Sequence, residues 1–155
     1  MRSYFANFLI VSALLTGVAS ASQGTATMPH AQPPPKPIPA NFAQVSPCIP
    51  TMGSHYANPK LSLDGNPIYG VYQGKPVFTE IMVTPKDLAS GKSWDNIQPL
   101  PGYKIDHVDI DYVPNGHPGM PFSHYDIHAY YVPHATHMQF CGGMPALKKM
   151  MEHPQ

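Results

Sequence analysis

The sequence predicts a mainly β protein, at the margin of the α+β class, built as a compact antiparallel sheet or small barrel with short helices. Three observations support this prediction. Twenty prolines and twelve glycines among 155 residues disfavour long helices. Several runs rich in β-branched and aromatic residues alternate between apolar and polar side chains with a period of two. Turn-forming residues separate these runs, a spacing that is typical of hairpins.

The first part of the chain is predicted to be a secretory signal and a linker. Arg2 precedes an apolar run, and the sequence "ASA" then fits the small-residue rule of signal peptidase. Residues 1–21 are therefore predicted to be a signal peptide, and the protein is expected to be secreted or periplasmic. Residues 22–47 are rich in proline and small residues and are predicted to form a disordered linker.

The folded domain is predicted to span residues 48–141 and to begin its main sheet with a hairpin. Two β-rich runs, 68–72 and 76–83, are joined through "QGK", whose length and composition suit a hairpin connection. "TPKDLASG" follows, with a threonine N-cap, a proline at the first helical position and a terminal glycine. This segment predicts a short helix.

Two more strands and two short helices are predicted in the second half. In "YKIDHVDIDYV" an apolar face alternates with a polar and acidic one, and residues 124–132 alternate in the same way. "PHATHMQF" predicts a short helix, and residues 142–155 are predicted to form a short helical tail.

Charge and cysteine content narrow the functional classes. Nine basic and nine acidic residues leave the chain nearly neutral, without the basic surface that nucleic acids or anionic membranes require. No membrane association is therefore expected once the signal is removed.

Cys48 and Cys141 bracket the predicted domain, and in an oxidising compartment we expect them to form a disulfide. A free thiol that binds metal is the alternative. The bridge would stabilise the fold by about 4 to 5 kcal/mol.

A histidine-rich strand provides the main functional signal. His124, Asp126 and His128 follow one another at two-residue spacing, so their side chains share one face of a strand. Same-face neighbours lie about 6.5 to 7 Å apart, and two such imidazoles can reach one metal ion. Three consecutive ligands from one strand would be strained, so Asp126 is predicted either to bind the ion or to orient an imidazole.

Further ligands must then come from other segments. His55 and Glu80 are the main candidates, and His107 and His117 are secondary ones. Histidines with a carboxylate suit Zn, Cu, Mn or Fe, and the sequence does not choose among them. A buried hydrogen-bond network or a histidine-rich surface are the alternatives. His134 and His137, three residues apart on a short helix, are interpreted as bystanders.

Glu80 is predicted to lie among apolar neighbours. A carboxyl in that environment has a raised pKa unless it meets a cation, a metal or a hydrogen-bond donor. Acid or base catalysis by Glu80 and a structural ion pair are therefore both open. The sequence has no serine-hydrolase elbow, phosphate-binding glycine loop or HExxH motif, which disfavours those enzyme classes.

Three segments resemble a family of small exported bacterial proteins of unknown function. They are "MGSHY" at 52–56, "YGVYQGKPVFTEIMV" at 69–83 and "GHPGMPFSHYDIHAYYV" at 116–132. The resemblance implies a compact β-rich domain that can self-associate, without an established activity or small-molecule ligand. The family's characteristic positions fall on Met52, Gly53, His55, Gly70, Gly74, Glu80, His124, Asp126 and His128.

These observations leave three functional hypotheses. The first is an exported protein that binds a transition metal through a cluster of His55, Glu80, His124, Asp126 and His128. The second is a cupin-like mononuclear metalloenzyme, whose metal keeps an open coordination position and in which Glu80 acts as acid or base. The third is a structural homo-oligomer with a histidine-rich polar core.

Overall fold

The computed structural model describes residues 34–152, which form one six-stranded antiparallel sheet with short helices. The strands are β1 (Ala43–Gln44), β2 (Ser54–Ala57), β3 (Ile68–Tyr72), β4 (Lys75–Val83), β5 (His107–Val113) and β6 (His124–Tyr130). Their order in the sheet is β1-β2-β3-β4-β6-β5. The helices are α1 (Pro85–Ala89), α2 (His134–His137) and α3 (Gly143–Glu152), with a 3₁₀ turn at Phe140–Gly142 before α3. The mainly β prediction is confirmed, and the sheet is open rather than a barrel.

The predicted hairpin and first helix are both present. β3 and β4 are joined by Gln73 and Gly74, whose φ angles of 49° and 74° are those of a two-residue type I′ turn. Glycine suits the second of these positions because it adopts positive φ at no steric cost. At α1 the Thr84 hydroxyl accepts a hydrogen bond from the Asp87 amide at 3.0 Å, and Pro85 occupies the first turn, as predicted.

The predicted linker is wrong over residues 34–47. Ile38 and Phe42 are buried in the core, and the Phe42 ring lies 5.0 Å from that of Tyr69. Residues 43–44 pair with β2 as an edge strand. Two turns shape this segment, closed by hydrogen bonds from the Ile38 and Phe42 amides to the carbonyls of Pro35 and Pro39, and the buried apolar side chains supply the contacts that fix it. The ordered region therefore begins before the predicted boundary at Cys48, whereas residues 1–33, including the predicted signal, lie outside the described part.

Cys48 and Cys141 form a disulfide, with Cα atoms 5.8 Å apart, which confirms the prediction. A bridge of this kind is typical of proteins from oxidising compartments. Within residues 34–152, no helix combines the length and apolar character needed to cross a membrane.

The two faces of the sheet differ in what covers them. On one face, the segment with Ile38 and Phe42 packs with Leu100 against β2 and β3. The other face, here called the inner face, carries Phe78 and Met82 of β4 and is covered by Met120 and Phe140. The polar side of β5 belongs to the inner face, whereas its apolar residues Val108, Ile110 and Tyr112 are more than half exposed.

Candidate metal centres

Strand register gathers the ionisable side chains on the inner face. Glu80 of β4 is directly opposite His128 of β6, and His128 is opposite Asp109 of β5. Directly opposite residues in neighbouring strands point to the same face. The next row contains Asp126 and Asp111. The two-residue alternation of three strands therefore produces a continuous polar strip in a largely apolar layer.

His55 joins this strip because a glycine lies between it and β4. His55 of β2 is opposite Gly70 of β3, which is in turn opposite Phe78. A Cβ on Gly70 would lie 2.2 Å from the Phe78 ring, so only glycine lets that ring lie across β3. The His55 ring then meets the Phe78 ring edge-on, at 5.3 Å between centroids, and faces Glu80.

The central cluster consists of His55, Glu80 and His128. His55 Nε2 lies 3.5 Å from Glu80 Oε2, and His128 Nε2 lies 3.6 Å from Glu80 Oε1. Both side chains of the second pair are only 1% exposed. Neither carboxylate oxygen of Glu80 and neither nitrogen of His128 has a hydrogen-bond partner among the described residues. Their nearest polar contacts are the two approaches within the cluster and a third of 3.7 Å between His128 Nδ1 and Asp111 Oδ2.

Burial controls the protonation of the central cluster. It raises the pKa of Glu80 to about 7. It also lowers the pKa of His55 to about 3, and repulsion from the charge of His128 contributes to this second shift. Burial also opposes a charged His128, but the surrounding carboxylates, Glu80 first among them, outweigh it and raise the pKa of this imidazole. His55 is therefore a neutral imidazole at physiological pH, which is the form that binds metals.

The outer cluster consists of His117, His124 and Asp126. His117 lies in the turn between β5 and β6, which is closed by paired backbone hydrogen bonds between His117 and Met120. The two Nε2 atoms are 3.2 Å apart, and His124 Nε2 lies 3.1 Å from Asp126 Oδ1. His124 is fully buried, whereas His117 is partly exposed. The cluster therefore lies at the end of the strip that solvent can reach.

The edge cluster consists of His107, Asp109, His134 and His137. Asp109 Oδ2 lies 3.5 Å from His137 Nε2, 3.6 Å from His134 Nδ1 and 3.8 Å from His107 Nε2. His134 and His137 belong to α2, which packs over the polar side of β5. One ligand atom from each of the four residues lies within 4.8 Å of those from the others.

The structure divides the predicted five-residue site into two. His128 lies with His55 and Glu80, whereas His124 and Asp126 lie with His117. The reason is strand geometry: His124 and His128 are four residues apart, so their Cα atoms are separated by about 13 Å. One ion cannot bridge that distance, and the expectation that both imidazoles serve one metal is wrong. Asp126 lies beside the His124 imidazole, and its role as a ligand or as an orienting group stays a prediction.

Sequence reasoning misses most of the edge cluster. His107 is only a secondary candidate in the sequence, His134 and His137 are interpreted there as bystanders, and Asp109 is only part of a polar face. The helical spacing of His134 and His137 does place both on one side of α2, and their proximity to Asp109 depends on how α2 folds back onto β5. The alternation of His107 with Asp109 on a strand is the available signal.

Comparisons with known proteins agree with the resemblance found in the sequence. The model of the TTHB210-like family, described as hypothetical protein TTHB210, matches residues 71–112, from the end of β3 to β5. The crystal structure of hypothetical protein TTHB210 from Thermus thermophilus is 27% identical, with a TM-score of 0.50. The match covers 63% of this chain and 87% of that one. No curated protein matches. The similarity is therefore to a family of unknown function, as the motifs indicate.

Proposed function

We propose that this chain, which resembles the TTHB210-like family over its central strands, binds divalent transition-metal ions on the inner face of its sheet. The outer cluster carries the proposal, because in the neutral form of its two imidazoles each turns an unprotonated nitrogen toward the other and toward the Asp126 carboxylate. The central cluster is the second candidate centre. The function is then metal handling by an exported protein, rather than catalysis.

Backbone carbonyl oxygens anchor one nitrogen of each imidazole in the outer cluster. His124 Nδ1 lies 2.7 Å from the Phe122 carbonyl oxygen, and His117 Nδ1 lies 3.0 Å from the Pro118 carbonyl oxygen. A carbonyl oxygen only accepts hydrogen bonds, so each Nδ1 must carry the hydrogen. In a neutral imidazole the opposite nitrogen, Nε2, then presents a lone pair.

The two lone pairs point at each other and at a carboxylate. Nε2 of His117, Nε2 of His124 and Oδ1 of Asp126 are all acceptors in this state, and they lie within 4.8 Å of one another. Three acceptors at such distances repel unless a cation lies between them. Because the hydrogen bonds to backbone carbonyls hold both imidazoles in place, the arrangement favours a metal ion and fixes the tautomer that binds it.

The distances also suit a metal ion. Ligand atoms placed about 2.0 to 2.1 Å from a tetrahedral ion lie about 3.3 Å from one another. The outer cluster has 3.2 and 3.1 Å between its closest atoms, and the central cluster has 3.5 and 3.6 Å. Two imidazoles and one carboxylate are borderline ligands that suit Zn, Cu, Mn or Fe, with water completing the coordination at the outer cluster.

The unpartnered atoms of the central cluster support the same function. Glu80 and His128 are buried with four polar side-chain atoms that make no hydrogen bond within residues 34–152. A structural oligomer with a histidine-rich polar core would instead require these groups to be satisfied by one another. An ion bound by His55, Glu80 and His128 would compensate the cost of burying the carboxylate.

The two cavities found in the described part lie away from the three clusters. Two cavities of about 330 and 300 Å³ open on the described part of the protein. One is lined by residues such as Gln44 and Tyr56, and the other by residues such as Trp94 and Ile97. Neither is lined by a residue of the three clusters, so a substrate in either cavity would not reach Glu80. A metalloenzyme would therefore need a route for its substrate other than these two cavities.

The decisive experiment measures metal in protein purified without a polyhistidine tag. Elemental analysis and Zn²⁺ titration should give bound metal in the parent protein and markedly less in His124→Ala. Tyr125→Phe, whose side chain lies on the opposite face of β6, is the matched control and should retain the parent's metal content. Asp126→Asn, which replaces the charged ligand oxygen by a neutral amide oxygen, should weaken binding at least about 10-fold.

One result would overturn the proposal. The outer cluster is not a metal site if the parent binds no transition metal with a micromolar or lower dissociation constant. The same conclusion follows if His124→Ala binds as much metal as the parent at the same affinity. The lone pairs would then be satisfied by a shared proton.

A further inference from the structure

We propose that the edge cluster is a separate metal site, in which His107, Asp109, His134 and His137 hold a zinc-type divalent ion that joins α2 to β5. This inference does not depend on the outer or central cluster, because it uses none of their residues. It differs from them in having four protein ligands, enough to complete a tetrahedral coordination shell.

Hydrogen bonds outside the cluster orient two of its imidazoles. His137 is 2% exposed, and its Nδ1 lies 3.0 Å from the Thr51 carbonyl oxygen, so Nδ1 carries the hydrogen and Nε2 presents a lone pair to the cluster. His107 Nδ1 lies 3.0 Å from Asp106 Oδ1 and donates to that carboxylate. His107 Nε2 is buried and has no hydrogen-bond partner among the described residues. Both lone pairs therefore face Asp109.

Aromatic packing holds these rings at the proper positions. The Tyr130 ring stacks on His137 at 3.9 Å between centroids, with 19° between the planes. It also stacks on His107 at 5.0 Å, with 9° between the planes. Since Tyr130 is itself buried at the end of β6, it forms a rigid floor under two of the four proposed ligands. Pre-positioned ligands lose little entropy on binding, which favours a tight site.

The spacing of the four ligand atoms fits one ion. His134 Nδ1 lies 3.0 Å from His137 Nε2, and the three distances from Asp109 Oδ2 to the imidazoles are 3.5, 3.6 and 3.8 Å. These values lie on both sides of the distance of about 3.3 Å that is expected between two ligand atoms of a tetrahedral zinc site. Three imidazoles and one carboxylate, with no water required, indicate a structural rather than a catalytic ion.

The position of the site gives it a mechanical role. β5 is an edge strand, and β6 is its only neighbour in the sheet formed by the described residues. An ion between β5 and α2 would add a second attachment, close to the Thr51 loop and to the disulfide at Cys141. Metal binding would therefore stabilise the edge of the sheet, since a site formed only in the folded state adds its binding energy to folding.

The metal-free alternative is a hydrogen bond within α2. His134 Nδ1 can carry a hydrogen and donate it to His137 Nε2 at 3.0 Å. This arrangement satisfies one lone pair but leaves His107 Nε2 and the Asp109 carboxylate facing each other as acceptors. The two arrangements respond differently to Co²⁺, whose visible absorption reports tetrahedral coordination.

The experiment uses the full chain with His124→Ala and His55→Ala as background, so that neither the outer nor the central cluster is intact. Co²⁺ titration should produce a tetrahedral visible spectrum, and excess Zn²⁺ should remove it. Adding His134→Ala, an exposed substitution that spares the core, should weaken binding at least about 10-fold. Adding Asp106→Ala, which removes the acceptor that orients His107, should weaken binding about 10- to 100-fold.

Asp95→Asn, an exposed carboxyl-to-amide change outside the three clusters, is the matched control and should leave the spectrum and the affinity unchanged. Far-ultraviolet circular dichroism of each variant establishes that it is folded. Absence of a tetrahedral spectrum in the background protein, or equal affinity with and without His134→Ala, would overturn the inference. Neither result bears on the parent's metal content at the outer cluster, so the two proposals fail separately.

Discussion

Replacing Glu80 by glutamine should stabilise the metal-free protein increasingly as the pH rises. Burial raises the pKa of this carboxyl from 4.5 to about 7. The folded state therefore holds a proton that the unfolded state releases between these two values. The sign follows from linkage: the stabilising contribution is complete below pH 4.5 and is lost as the pH rises through 7. Glutamine does not titrate, so the Glu80→Gln variant loses no stability in this way as the pH rises.

The size of the effect follows from the same pKa values. Each pKa unit corresponds to about 1.4 kcal/mol, so the full loss is about 3 kcal/mol. Attraction between the carboxylate and His128 offsets part of it, since Glu80 also favours the charged form of that imidazole. We therefore expect the difference in unfolding free energy between Glu80→Gln and the parent to grow by about 1 to 3 kcal/mol from pH 5 to pH 8.

Urea unfolding in the presence of a chelator, at several pH values, measures this difference. Asp95→Asn provides an exposed carboxyl-to-amide control. Any constant cost of burying the amide cancels, because only the change with pH is compared. A difference between Glu80→Gln and the parent that stays constant from pH 5 to pH 8 would show that Glu80 is solvated or fully compensated without metal.

Other predictions concern packing, the disulfide and metal binding. Gly70→Ala should destabilise the protein by about 1 to 3 kcal/mol, because its Cβ would overlap the Phe78 ring, and Phe78→Leu should recover part of the loss in thermal unfolding. Cys141→Ala should cost about 4 to 5 kcal/mol, given the 93-residue separation of the cysteines, and two free thiols in the air-exposed parent would contradict this. Zn²⁺ affinity should fall between pH 7.5 and 5.5, since protons compete for imidazole lone pairs, and calorimetric titration with unchanged affinity across that range would make the imidazoles bystanders.

Local sequence patterns predicted the elements well because their causes are local. The two-residue alternation in β6 and β5 determines which side chains share a face, and the residues Thr84 and Pro85 determine where α1 begins. The Gln73-Gly74 turn specifies the β3–β4 hairpin in the same way. These features depend on neighbours within a few residues, which the sequence displays directly.

The composition of each cluster depended on contacts that the sequence does not display. His55 reaches Glu80 only because Gly70 lies between them in the sheet, and β6 inserts between β4 and β5 rather than following β5 at the edge. The edge cluster further requires α2 to fold back across β5. Each of these depends on long-range pairing, so the residue types were predictable but their grouping was not.

The disulfide also closes most of the chain into a covalent ring. Residues 48–141 form a closed ring, and all ten residues of the three clusters belong to it. A protease that cuts one bond in the exposed turn near Pro118 and Gly119 would open this ring without releasing a fragment. Every histidine and carboxylate would stay tethered to the rest, and the new ends would lie beside the outer cluster. In an oxidising compartment the nicked protein would thus remain a single molecule, and the cut would become visible only after reduction.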